Sequence, residues 1–328
     1  MKPFNVFPYD SKINFMRLRW VSTILALALM LLAIGSMVFN SFPNGRFDGS
    51  RTFNYALDFF GGALVELRFE KPVDTELVRE KLADAGFPNA QVQSLGSETE
   101  LLVRQKAETE GTGDEAVGQL AERIVQAVQM PGNAARVVRS DAMGKQVGNE
   151  LASNAALALT FVILGFLIYI AMRFEWKFAV AAILTTLHDV IVVLGWFSLT
   201  RHEFDLTVLA GVLAVMGFSI NDTIVVFDRV RENFRSMRAD PAAILNASVN
   251  QTLSRTVITS FVALLTVVAL YIYGGGSLRG MAEAQIIGII LGTISSIFVA
   301  CPLLMWLGVT KQDLMPKARD EAALARRP

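Results

Sequence analysis

Two acidic side chains stand where hydrocarbon is expected. Asp189 lies near the middle of one apolar run, in TTLHDVIVVLG, and Asp222 lies within the next, in GFSINDTIVVFD. An ionisable group at bilayer depth costs about 2.5–3.5 kcal/mol on insertion scales, so an acid there reads as functional by default. Asp222 precedes Asp228 by six residues, which sets it about 9 Å inside the boundary that Asp228 marks. That is too deep for so short a side chain to reach water. Arg255 stands just before the apolar part of the following run, and its long side chain extends inward toward the level of Asp222. Thr252, Arg255, Thr259, Ala263 and Thr266 share one helical stripe, and Ser219, Asp222 and Thr223 form a similar patch. Two polar stripes suggest a hydrated path between helices. Moving a guanidinium toward or away from a desolvated carboxyl shifts the balance between its charged and neutral forms, so a small motion loads or releases a proton. The chemistry is that of a proton relay.

Each residue also has a plain structural reading. Arg255 reads equally as an interfacial anchor. Asp222 reads as a cross-helix hydrogen-bonding group, although Asn or Ser does that work at lower desolvation cost. His188 and Asp189 are about 100° apart on a helix, so only one points squarely into a polar seam, with Asp189 inward and His188 as its support.

The elements that hold these groups follow from composition. Of 328 residues 53% are hydrophobic and 18% charged, and the mean hydropathy is +0.44. Those values point to a membrane protein. Six runs have the roughly 20 apolar residues that a span needs: 18–39, 151–172, 178–199, 206–227, 256–273 and 284–307. The first is longer than a signal-peptide core and lacks a clear cleavage site, so it reads as a retained anchor. In the last run Ala284, Gly288, Gly292, Ser296 and Ala300 recur every four residues, a strip that lets helices approach closely, and Cys301-Pro302 marks a bend.

Lys and Arg crowd the arm at 1–17, the connections near Arg173 and Lys177 and from Arg229 to Arg255, and the tail at 308–328. The positive-inside rule then sets both termini in the cytoplasm and residues 40–147 on the far side of the membrane. That stretch reads as a small periplasmic α+β domain. Its order βαββαβ, from the strand ending at Phe69 through helices near 75–85 and 115–130 to a last strand at 135–138, suggests a ferredoxin-like fold. Residues 148–307 then carry spans two to six.

Other classes lack their residues. Lys plus Arg and Asp plus Glu both number 30, so no basic excess advertises a nucleic-acid partner. One cysteine and two histidines leave no disulfide framework and no metal constellation, and no phosphate-binding loop is present, so neither a metal nor a nucleotide cofactor is expected. An intramembrane aspartyl protease would show GxGD and a rhomboid-type protease GxSxG. Neither occurs.

The segment 217–233, GFSINDTIVVFDRVREN, closely resembles the signature of the SecF family, the smaller half of the SecDF accessory complex of bacterial protein export. DFFGG at Asp58–Gly62, the His188-Asp189 pair, NQTLSRTVITS at 250–260 and GGGSLRG at 274–280 extend the resemblance over essentially the whole chain. It implies half of a twelve-span transporter of the resistance-nodulation-division superfamily, the other half being SecD. The complex would use the proton motive force to promote late steps of preprotein translocation through SecYEG, with YajC and YidC as further associates. The family's membrane aspartate, in the pair Asn221-Asp222, maps onto Asp222, and the arginine of its next helix onto Arg255. Asp189 matches a family position as well. The signature positions are Asp58, Gly61, Gly62, Gly217, Ser219, Asp228, Arg229, Arg231, Glu232 and Asn233, with the DFFGG turn a candidate hinge. The rival readings are a proton-driven small-molecule exporter half of the same superfamily and a passive scaffold.

Overall fold

The computed structural model describes residues 11–314 other than 57–58, 60–61, 89, 95–96, 107–113 and 144. Asp58 and Gly61 of the candidate hinge lie outside the described residues, and Gly62 opens a strand. Among the described residues, six helices are long and apolar enough to cross a membrane: α1 (Arg19–Ser41, extended at its start by a tight turn from Phe15), α4 (Lys145–Arg173), α5 (Trp176–Thr200), α6 (Leu206–Ser236), α7 (Pro241–Tyr273) and α8 (Gly276–Phe298), which continues as α9 (Ala300–Trp306). Between α1 and α4 lie β1 (Asn54–Tyr55), β2 (Gly62–Phe69), α2 (Thr75–Asp84), β3 (Gln91–Ser94), β4 (Glu100–Lys106), α3 (Asp114–Val128) and β5 (Ala135–Met143), while β6 (Glu203–Phe204) sits between α5 and α6.

Two of the spanning helices are longer than their apolar runs. Residues 241–255, read from the sequence as part of a charged connection, are the first four turns of α7. Their apolar positions Ile244, Leu245, Val249 and Leu253 fall on one helical face and bury against Val230 and Phe234 of α6. Pro241 at the first turn suits a position whose N–H has no helical partner. The Asn233 amide donates to Ser248 Oγ at 2.9 Å and to Gln251 Oε1 at 3.0 Å, which ties the two extensions together.

The tightest seam joins α6 and α8, which run parallel. A Cβ built on Gly280 would strike Val208, one on Gly288 would strike Val215, and one on Gly292 would press on Ser219, while Ala284 lies over Gly211. Small residues every four positions on α8 thus meet α6 in register, backbone close to backbone. Farther along, Pro302 offers no N–H and its ring crowds the carbonyl of Phe298, so α8 ends there and α9 restarts at Ala300. Buried Cys301 fills space at this break. Between α5 and α1, Gly195 lies so near Ala33 that no side chain fits between them.

Outside the bundle, four antiparallel strands form a sheet in the order β3-β4-β2-β5. Val65, Leu67 and Phe69 alternate inward from β2 and pack with Val78 and Leu82 of α2 and Ile124 and Val128 of α3, so two helices cover one face of the sheet. A second contact was not legible in the sequence: β1 pairs in parallel with β6, Asn54 with Glu203 and Tyr55 with Phe204. Around it Phe53, Tyr55, Phe59, Phe197 and Phe204 pack with ring centroids 4.6–6.1 Å apart. Arg104 of β4 reaches Glu203 at 3.6 Å, with both side chains largely buried. The Gln91 amide, turned to donate, lies 2.6 and 2.9 Å from the two Glu203 oxygens. The strand unit therefore grips the α5–α6 turn.

Candidate functional site

Asp189 is fully buried on α5. Its Oδ2 accepts from Ser219 Oγ of α6 and from Ser295 Oγ of α8, each at 2.6 Å, and its Oδ1 lies 2.9 Å from His188 Nδ1. One carboxyl thus joins three helices through short hydrogen bonds. His188 is buried too, because its ring fills a gap beside α1 and α8 while Nδ1 turns back to its neighbour. Its Nε2 has no hydrogen-bond partner among the described residues, and the ring borders a cavity of about 280 Å³ that Leu25 and Ala26 of α1 and Ile294 of α8 also line.

Asp222 sits one helical turn beyond Ser219 and is 8% exposed. Its Oδ2 accepts from Ser260 Oγ of α7 at 3.2 Å, and that hydroxyl lies 2.7 Å from Thr293 Oγ1 of α8. The two acids therefore occupy nearly the same depth, served by hydroxyls two residues apart on α8. Thr223, Thr256 and Thr186, all buried, have hydroxyls without a partner among the described residues. Such groups suit bridging water, since each retains hydrogen-bonding capacity.

Asp222 and Arg255 make no direct hydrogen bond or ion pair among the described residues, although the guanidinium is close enough for its charge to act on the carboxyl. Arg255, Thr259 and Thr266 lie exposed on the outer side of α7, and the two threonine hydroxyls are satisfied by backbone carbonyls of their own helix at 3.0 Å. Thr252 of the same stripe is buried, and it is Ser260 that bonds to the acid. Asn221 likewise projects outward from α6, next to exposed Gly217 and Phe218, and makes no recorded bond to Asp222.

Residues 123–310 match the family model for the protein export membrane protein SecD/SecF, C-terminal. The chain belongs to the SecD/SecF family. It is 44% identical over 312 residues to the protein translocase subunit SecF of Pseudomonas aeruginosa, covering 94% of this chain and 96% of that one. The SecF subunit of Vibrio alginolyticus is 40% identical, with 95% of each chain covered. Among solved structures, that of SecDF, a translocon-associated membrane protein from a Thermus species, superposes with a TM-score of 0.74 at 38% identity. The match covers 92% of this chain and 39% of the SecDF chain, so this chain spans about two fifths of that protein. These similarities and the six apolar helices make it a multi-pass membrane protein of a transport family. The relatives are named as translocase subunits, so the small-molecule exporter reading is not favoured.

With the SecF family signature placed, several of its positions prove to be struts at the Arg-rich end of the bundle. Arg173 Nη2 reaches both oxygens of Asp228 at 2.9 Å, Arg231 pairs with Glu175 at 3.0 Å, and Arg229 pairs with Glu232 at 2.8 Å. The first two pairs, with the Asn233 bonds, fix α6 against α4, the start of α5 and α7, whereas Arg229–Glu232 lies within α6 itself. Among the described signature positions, Ser219 is the one that bonds to an acid in the bundle core. Ser260, Thr293 and Ser295 complete the two sites. Ser260 lay inside a quoted motif without a role, and the signal for Thr293 and Ser295 was the hydroxyl cluster GTISS in an otherwise apolar run.

Proposed function

We propose that the chain is the SecF half of a proton-driven SecDF complex in the bacterial inner membrane, with SecD as its partner. In this reading both termini are cytoplasmic, residues 40–147 hold a periplasmic ferredoxin-like domain, and the complex promotes late steps of preprotein passage through SecYEG, with YajC and YidC as associates. The observation that carries it is the pair of buried carboxyls at one depth, Asp189 and Asp222, each closed in by hydroxyls, beside polar groups that face out of the chain. Asn221 and Arg255 present an amide and a cation to a hydrocarbon surrounding, which favours a polar partner there. The part of the Thermus SecDF chain that this one does not match supports SecD as that partner.

The orientation rests on Arg173, Lys177, Arg229, Arg231, Arg235 and Arg238 at one end of the bundle against Arg201 and Arg279 at the other. The ferredoxin-like assignment rests on the strand order together with the βαββαβ sequence of elements. Proton gain at Asp222 removes a charge from among α6, α7 and α8 and relaxes the bond to Ser260. Asp189 ties the same seam to α5, whose end at Thr200 lies eleven residues on, about 16 Å away. There β6 and Glu203 hold the outer unit. One proton crossing 100 mV supplies about 2.3 kcal/mol, enough to bias a two-state equilibrium roughly fiftyfold.

The test is completion of preprotein transport in vesicles that carry the chain with SecD, with an imposed proton gradient and the nucleotide removed after initiation. Asp222→Asn assembles with SecD and loses the gradient-dependent completion. Undiminished completion by that variant contradicts the proposal.

A further inference from the structure

The Arg-rich end carries a second feature that proton transfer does not use. Arg173, Asp228, Arg231, Glu232 and Arg235 surround an open pocket of about 660 Å³ between α4 and α6. Four of the five are committed: Arg173 to Asp228, Arg231 to Glu175 and Asp228, and Glu232 to Arg229. Arg235 is exposed and forms no ion pair among the described residues. The pocket thus holds one cation beyond its internal pairs.

Directly inward on the same side, α4 stands off from the bundle, with only 6% of its apolar window buried. The gap is a groove of about 270 Å³ lined by Ile163, Phe166 and Ile170 of α4, Ile183 and Leu187 of α5, and Ile220 of α6. Its α4 wall runs from Ile170, one turn below Arg173, to Leu159. At 1.5 Å per residue it covers depths of about 4–21 Å below Arg173. A single leaflet of hydrocarbon is about 15 Å deep, half of a core of about 30 Å. A headgroup-sized cationic pocket above an apolar groove of one leaflet's depth matches an amphiphile with an anionic head.

We infer that this α4–α6 cleft binds one anionic phospholipid, its phosphate at Arg235 and one acyl chain in the groove beneath. The inference rests on the orientation proposed above only for the leaflet, which is the cytoplasmic one. The uncompensated cation selects against zwitterionic lipids, and the groove selects against a free phosphate. Bound there, the lipid wedges α4 at a defined distance from α6, the helix that carries Asp222.

The test uses the complex with SecD, exchanged into mixed phosphatidylglycerol and phosphatidylcholine, then examined by native mass spectrometry after delipidation. One phosphatidylglycerol is expected to remain per complex. Arg235→Glu reduces its retention about tenfold, the loss of one charge-assisted bond. Ile163→Trp, which fills the groove, reduces it similarly, and Asp222→Asn leaves it unchanged even though transport fails, so the two proposals are separable. Displacement of the lipid by inorganic phosphate, equal retention of phosphatidylcholine, or occupation of the cleft by SecD with no lipid bound would each overturn the inference. If the variants unfold, competition between the two lipids on the wild-type complex still decides it.

Discussion

Replacing Asp189 by Leu removes the acceptor shared by three helices, and the cost can be worked from its partners. Ser295 keeps a second bond, 3.2 Å from the Gly292 carbonyl, so its hydroxyl is not stranded. Ser219 Oγ and His188 Nδ1 are left without the group they bonded. A buried polar group deprived of its partner costs about 1–3 kcal/mol, which makes about 2–6 kcal/mol for the pair. Asn at the same position has an oxygen for both serine hydroxyls and an amide that faces His188 Nδ1, so it keeps the packing and loses the capacity to ionise. The single cysteine provides the assay, because Cys301 is fully buried at the α8–α9 break. Maleimide labelling of Cys301 in the complex with SecD, quantified on its peptide by mass spectrometry, reports the opened population. At 1.4 kcal/mol per tenfold, Asp189→Leu accelerates labelling roughly 30-fold to 10⁴-fold, while Asp189→Asn stays within about tenfold of wild type. Labelling of the Leu variant at the wild-type rate would refute the reasoning that this carboxyl holds the seam together.

Three other outcomes follow from the same geometry. Glu203→Ala frees Arg104 and the Gln91 amide, so amide exchange in β3 and β4 accelerates while the bundle stays folded, and gradient-dependent transport falls; unchanged exchange would detach the outer unit from the α5–α6 turn. Gly288→Leu drives a side chain into Val215 and costs at least the 1–3 kcal/mol typical of overpacking, read as a lower melting temperature of the purified complex. Near the carboxy-terminal end, Asp313 accepts from Lys177 Nζ at 2.7 Å, and this bond with the Thr310 contacts holds its carboxyl below the ordinary value. A carboxyl lowered on folding stabilises above its unfolded value and loses that contribution as pH falls through the folded one. Proteolysis near Lys311 is therefore constant from neutral pH to the ordinary carboxylate range and rises only in stronger acid, and Asp313→Asn removes the rise.

Much of this architecture was legible because periodicity and length report burial directly. The apolar runs, the βαββαβ order and the four-residue spacing of Ala284, Gly288 and Gly292 depend on neighbours within a few turns. Residues 241–255 were misread because charge around them masked an amphipathic face, and only the partner face on α6 reveals its purpose. The β1–β6 pairing was invisible, since two-residue strands carry no period. At the site, a helical stripe tells which residues of α7 share a side but not which of them bonds to Asp222, so Ser260 was overlooked. Asp189 gained its position from Ser219 and Ser295, 30 and 106 residues away in sequence. No local pattern encodes that meeting.

The central claim is that the carboxyl of Asp222 takes up and releases a proton as the SecD-containing complex turns over. Infrared difference spectroscopy on the reconstituted complex, with and without an imposed proton gradient, reads this directly. The account predicts a carboxylic-acid carbonyl band that appears and disappears with the gradient and is absent from Asp222→Asn. A carboxyl that keeps one ionisation state under both conditions, in a complex still transporting preprotein, contradicts it.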